Sequence, residues 1–355
     1  MSFDLLRDEV AKGLADKNGG IPMGFDRLNN YIGIRKGIYT LVGGLTGSGK
    51  TSFVDDAYVL NPFDWTLSPE GKKSGIKIKF WYRSMERNRT YKYAKWVSRK
   101  IFTDQGILIP VPKLLGWKDK LTHDEHDLFL TYEDYIKEME ESITIFDGPE
   151  NPVGIAKDLK KFAESKGKIE QLDEYNKIYI PNDPNEINII VVDHIGLLKT
   201  TKDLPNKKAT IDKMSNELRF ARDFYGFSPV VVSQFNRDIS NPLRLKNGDV
   251  EPQLDDFKDS SGPSEDADVV LALFDPMRYK VPDPSGYNLD KLVDEYGNKY
   301  YRSLRLIKNS YGADDVRIGL GFCGQIGMFK ELNRKKDMTD ADYHSVTDKS
   351  WFLRQ

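Results

Sequence analysis

The clearest chemistry in the chain lies at residues 43 to 51, Gly-Gly-Leu-Thr-Gly-Ser-Gly-Lys-Thr. Gly44 and Gly49 bracket Leu45, Thr46, Gly47 and Ser48, and Lys50 and Thr51 follow at once. This is the spacing of a loop that cradles phosphate. Glycines let the backbone curl until successive N–H groups face one oxyanion, and a following helix adds the partial positive charge of its N-terminus. Lys50 would reach the β- and γ-phosphates of ATP, and the Thr51 hydroxyl would ligate Mg²⁺. Such a loop needs a strand leading in and a helix leading out. Residues 38–42 predict the strand, and residues 52–58 the helix.

A second candidate stands at 193. Ile187-Asn188-Ile189-Ile190-Val191-Val192-Asp193 carries four consecutive branched apolar residues, which predicts a buried parallel strand with a carboxylate at its tip. Asp193 suits holding Mg²⁺ across from Thr51, or simply capping a strand end. Residues 76–82 predict another strand, and Ser84-Met85-Glu86 follows it, at the end where parallel sheets carry their chemistry. Residues 229–232 predict one more, closing on Ser233-Gln234-Phe235-Asn236-Arg237.

The elements that must position these residues follow in order. Residues 2–16 predict a short amphipathic helix, with Phe3, Leu6, Val10 and Leu14 on one face. It needs a surface, either its own domain or a neighbouring subunit. Residues 66–75 are polar and read as a loop. A basic helix is expected over 89–101, helix around 133–141, a strand at 143–146 and a helix at 152–166. Residues 167–186 read as a surface insertion, and 210–224 as an amphipathic helix. A long polar loop over 239–264 holds Arg244, Lys246, Lys258 and Gly262. Strands are expected at 269–274 and 301–307, with a closing hairpin from 317–320 and 327–330. The tail from 333 is polar and is expected to order only on contact with something else. Strand alternating with helix, with polar strand tips, is an α/β pattern with a mostly parallel central sheet flanked by helices.

Composition narrows the classes. The 355 residues are 39% hydrophobic, enough for one large domain or two small ones. A net charge of −2 argues against a generally basic nucleic-acid coat but leaves room for local basic patches. The single Cys323 excludes an internal disulfide and suits a reducing cytosol. No apolar stretch is long enough for a signal peptide or a membrane span.

In this order the motifs resemble those of one family, the RecA-fold ATPase domain of DnaB-type (superfamily 4) replicative helicases. Ile21-Pro22-Met23-Gly24-Phe25 with Leu28 resembles the segment that leads into the family's phosphate loop. Ser84-Met85-Glu86 is similar to its Ser-Leu-Glu. Val192-Asp193-His194-Ile195-Gly196-Leu197 resembles its Asp-Tyr-Leu-Gln-Leu segment, and Ser233-Gln234-Phe235-Asn236-Arg237 its Ser-Gln-Leu-Asn-Arg. Residues 252–268 look like its DNA-binding loop and the segment after it. The likeness covers roughly 20 to 332.

The resemblance implies a RecA-like P-loop NTPase with a C-terminal hairpin. It makes Glu86 the base that orients water, and Gln234 the sensor of the γ-phosphate. Lys308 becomes a group that reaches a neighbouring subunit's nucleotide, and Arg237, Arg244, Lys246, Lys258 and Gly262 become contacts to single-stranded DNA. It also implies a ring-shaped homo-oligomer, a hexamer, moving 5′ to 3′ in DNA replication. The setting would be the cytoplasm of a bacterial or phage-infected cell, with a primase or loader as partner and no membrane.

Residues 1–20 would then be a linker-like helix, 21–332 the ATPase domain and 333–355 a tail. Two departures stand out. Only about 20 residues precede the core, where the family usually has a separate domain. Lys308-Asn309-Ser310-Tyr311-Gly312 puts serine where the family expects an arginine, and serine supplies neither the charge nor the fork of an arginine finger. Arg305 or Arg317 are candidates to substitute. Serine at 310 therefore keeps a second expectation open, an ATP-gated single-strand-binding module of recombinase or loader type with slow hydrolysis and no unwinding. A third is an ATPase indifferent to DNA.

Overall fold

The computed structural model describes residues 3–14, 20–236, 239, 241–247, 251–257 and 261–353. Eleven strands occur among them: β1 (Thr40–Gly44), β2 (Lys77–Ser84), β3 (Ile143–Asp147), β4 (Gly167–Gln171), β5 (Lys177–Pro181), β6 (Glu186–Asp193), β7 (Ser228–Gln234), β8 (Val269–Phe274), β9 (Tyr301–Asn309), β10 (Val316–Cys323) and β11 (Met328–Glu331). Nine form one sheet in the order β11-β10-β9-β8-β1-β7-β6-β2-β3. From β8 to β3 every pairing is parallel. β9, β10 and β11 join antiparallel, and β10–β11 is the expected closing hairpin.

The central strands are apolar on both faces because both faces are covered. Leu41, Ile190, Val192 and Val231 point into one core. Their neighbours in sequence, Val42, Ile189, Val191 and Val232, point into the other. The helices Pro152–Lys166 and Lys207–Tyr225 cover the first side. Helical residues 50–67, with a wider π turn over Asp55–Leu60, and the helix Arg89–Gln105 cover the second.

These last two helices are joined by buried charge. Arg99 is 4% exposed and Asp56 is fully buried, and the Arg99 guanidinium pairs with the Asp56 carboxylate. Removing one partner of such a pair leaves the other uncompensated. Arg99→Ala is expected to destabilise the fold by about 3–5 kcal/mol, measured as a lower denaturant midpoint. An unchanged midpoint would contradict that pairing.

Three regions differ from what the sequence suggests, and the surface insertion at 167–186 gains a regular form. Residues 66–75 are not a loop. The helix runs on to Leu67, and a second begins at Pro69, where the Ser68 hydroxyl accepts the Gly71 N–H at 3.1 Å. Residues 167–186 carry an antiparallel hairpin, β4–β5. The 239–264 loop contains the helix Pro242–Asn247 and a helical start at Gly262.

The tail is ordered on its own domain. Its helix Asp340–Thr347 buries Tyr343 and Val346, and Phe352 follows them into a cluster with Tyr300, Tyr301 and Leu332. Tyr343, Val346 and Phe352 are spread through a polar segment whose composition outweighs them in sequence. At the other end the helix Phe3–Leu14 forms as expected, but Phe3, Leu6, Val10 and Leu14 are all exposed. Of the two surfaces open to it, the chain's own domain does not cover this stripe.

Candidate nucleotide site

Parallel register aligns the strand tips. Gly44 pairs with Gln234, and Ser84 with Asp193, so the loop after β1 and the ends of β2, β6 and β7 share one edge of the sheet. The loop itself requires its glycines. A Cβ on Gly44 would sit 2.6 Å from both the Leu273 carbonyl and the Ser48 hydroxyl. Gly47 and Gly49 have φ of 81° and 97°, a region side chains avoid.

The lining of this loop suits a triphosphate. Lys50 is 8% exposed, and its ammonium donates to the Leu45 carbonyl at 2.9 Å. Burial brings its pKa down to about 8, against the pull of Asp193 and Glu86. The Ser48 hydroxyl is buried with no protein partner among the described residues. Such a polar, inward-facing cradle fits phosphate oxygens.

The Thr51 hydroxyl donates to Asp193 Oδ1 at 2.9 Å. Burial works against charge on Asp193, but Lys92, Thr51 and Tyr82 outweigh it and hold the carboxyl below its ordinary range. Among the described residues no three His, Cys, Asp or Glu side chains converge as a metal site. One hydroxyl and one carboxylate suit Mg²⁺ that takes its other ligands from phosphate and water.

Beyond this pair lies a cleft of about 240 Å³ lined by Glu86, His194 and Gln234 among others. His194 Nε2 is 3.8 Å from Glu86 Oε1 and 3.3 Å from Gln234 Nε2. Burial pushes the His194 pKa down against Glu86 and Asp193, which favours the neutral imidazole. The three side chains meet at His194 Nε2 on the lining of this cleft. His194 is a residue that sequence reasoning passes over, although it directly follows Asp193.

The far strands back the loop. Arg302 Nε donates to the Ser48 carbonyl at 2.9 Å, its guanidinium pairs with Asp275 at 3.2 Å, and it lies 4.7 Å over the Phe322 ring. Phe322 stacks on Phe329 at 4.4 Å, and both rings press on Gly49. Arg278 donates to the Thr46 carbonyl at 2.6 Å. The two arginines reach the loop from 254 and 232 positions away in sequence, with no local motif to mark them.

Lys308 lies elsewhere. It pairs with Val270 near the start of β8, the opposite edge from the loop, and donates to the Ser264 and Glu265 carbonyls at 3.2 and 2.9 Å. It therefore stands at the far end of the sheet from the phosphate loop of its own chain. Arg305 and Arg317 are both paired with Glu251 and Asp315. Of the expected DNA contacts, Arg237 and Lys258 lie outside the described residues. Arg244 is paired with the buried carboxylate of Asp256, so it ties the loop to itself. Lys246 is exposed, and Gly262 opens its short helix.

The chain is similar to known proteins in sequence and in fold. Residues 157–331 match the family described as DnaB-like helicase C terminal domain. The replicative DNA helicase DnaB of Helicobacter pylori is 24% identical over 295 residues, 83% of this chain and 51% of that protein. The chain thus spans about half the length of that relative. DnaB of Mycobacterium intracellulare is 25% identical over 113 residues, 32% of this chain and 19% of that protein.

Among solved structures, one described as an ATPase domain superposes with a TM-score of 0.66 at 18% identity, covering 94% of this chain and 99% of that one. A DnaB-like replicative helicase, described with its interactions with primase, gives 0.64 at 18% identity over 94% and 67%. No helix among the described residues is long and apolar enough to cross a membrane.

Proposed function

We propose, for a chain that carries a RecA-fold domain of DnaB type, that it is an ATP-driven DNA helicase working as a ring-shaped hexamer on single-stranded DNA. The observation that carries this reading is the row along one sheet edge. The phosphate loop, the Thr51–Asp193 pair and the Glu86–His194–Gln234 line occur in the order that phosphoryl transfer uses them.

Gly44 to Thr51 would hold the triphosphate, with Lys50 against the β- and γ-oxygens. Thr51 and Asp193 would hold Mg²⁺, which offsets phosphate charge when bound. Glu86 orients the attacking water. Gln234 meets the γ-phosphate and is continuous with the 239–264 loop, through which loss of that phosphate would reach DNA.

In a ring, Lys308 of one copy would approach the nucleotide of the next. The exposed stripe of Phe3, Leu6, Val10 and Leu14 would dock on a neighbour. On this reading residues 21–332 are the ATPase unit and residues 1–20 a linker-like segment. Movement is 5′ to 3′ in the cytoplasm of a bacterial or phage-infected cell, with primase or a loader as partner.

A second reading, the ATP-gated single-strand-binding module, is favoured by one observation. Ser310 supplies no finger, and Arg305 and Arg317 are held by Glu251 and Asp315. A strand-displacement assay on a forked duplex separates the two. Unwinding that requires ATP supports the helicase, and ATP-dependent binding with no unwinding supports the module.

A further inference from the structure

Behind Asp193 lies a charge cluster that the site as described does not use. Lys92 is 1% exposed, and its Nζ lies 3.1 and 3.2 Å from the two oxygens of Asp55 and 3.2 Å from Asp193 Oδ2. It also donates to Tyr82 Oη at 2.5 Å. Tyr82 Oη in turn lies 2.9 Å from Asp55 Oδ1 and 3.1 Å from Asp193 Oδ2. Asp55 and Tyr82 are 2% and 0% exposed. Four separate elements converge here: the helix after the phosphate loop, β2, the helix Arg89–Gln105 and β6.

The contacts divide the Asp193 carboxylate. Lys92 and Tyr82 both approach Oδ2, while Oδ1 faces the Thr51 hydroxyl. An ammonium and two carboxylates removed from water are an expensive way to fasten two helices, which Arg99 and Asp56 already fasten two turns further along. What this cluster adds is a fixed rotation of one carboxylate.

We propose that Lys92, with Tyr82 and Asp55, is a positioning clamp that holds Asp193 by Oδ2 so that Oδ1 is presented, beside Thr51, to the divalent cation of a bound nucleotide. The inference rests on the nucleotide reading of the site. Outer partners of this kind orient metal-binding side chains, and their loss commonly weakens metal binding about 10–100-fold.

The test uses the full chain and two variants. Tyr82→Phe removes only the shared hydroxyl. Lys92→Met combined with Asp55→Asn removes opposite charges together, so the net charge of the cluster is unchanged and Asp193 keeps its bond from Thr51. Mn²⁺ affinity is read by electron paramagnetic resonance with saturating ADP, and ADP affinity is read separately in EDTA.

Tyr82→Phe is expected to weaken Mn²⁺ binding about tenfold, and the paired variant at least as much. ADP affinity without metal should be unchanged in both. Wild-type Mn²⁺ affinity in folded Tyr82→Phe would overturn the clamp, as would a parallel fall in metal-free ADP affinity, which marks a merely structural role. If the paired variant does not fold, Tyr82→Phe decides alone. A wild-type chain that binds neither ADP nor Mn²⁺ would instead overturn the nucleotide reading, and the clamp with it.

Discussion

Glu86→Gln is expected to lower ATP turnover by roughly 10²–10⁴-fold while Mg²⁺–ATP still binds. The side chain is 48% exposed on the rim of the cleft, 3.8 Å from His194, so the amide can take its place without disturbing the core. The substitution keeps the shape and removes the negative charge that orients water. Binding should survive because the groups placed on phosphate and metal are others: Lys50, Thr51, Asp193 and the loop backbone. Single-turnover hydrolysis beside equilibrium ATP binding measures both halves. Unchanged turnover would remove Glu86 from the chemistry and pass the role to another group in the cleft.

Lys50→Ala is expected to lower turnover by about 10²–10³-fold and to weaken nucleotide binding as well. Lys50 differs from Glu86 in that its charge serves the bound triphosphate and the transition state together, so both parameters should move. The fold should tolerate the change. Lys50 is an ammonium held at 8% exposure with a pKa brought down to about 8, so its removal relieves a desolvated charge. An unfolding midpoint at or above wild type, with nucleotide affinity lost, is the expected pair of results. Turnover that persists at the wild-type rate would contradict the phosphate-loop assignment.

The parts of the site legible in sequence are those carried by short contiguous patterns. The loop at 43–51 announces itself by glycine spacing. Asp193 and Gln234 stand at the ends of branched apolar runs, and such runs are strands buried on both faces. Glu86 follows a strand whose tip is marked by Ser84. The parallel sheet and the closing hairpin follow from the same alternation.

What sequence does not reveal depends on register between distant segments. Tyr82, Lys92 and Asp55 meet at Asp193 only because β2 lies beside β6 and two helices cross behind them. In sequence, Lys92 is one more cation on a basic helix, and Asp55 one more acid after the loop. Phe322 and Phe329 read as hairpin residues until β10 and β11 fold back on Gly49. The tail reads as open because overall polarity conceals Tyr343, Val346 and Phe352, which complete a cluster built mostly by residues before it. Pairing also alters what a cation can do. Arg244, Arg305 and Arg317 look available by charge alone, yet each is matched with a carboxylate.

The most direct test of the central claim is the rate of ATP hydrolysis by the purified chain with and without single-stranded DNA, beside Lys50→Ala. DNA is expected to stimulate turnover strongly in the wild type, and Lys50→Ala to lower both basal and stimulated rates by about 10²–10³-fold. Brisk turnover that is indifferent to DNA would contradict a nucleic-acid motor.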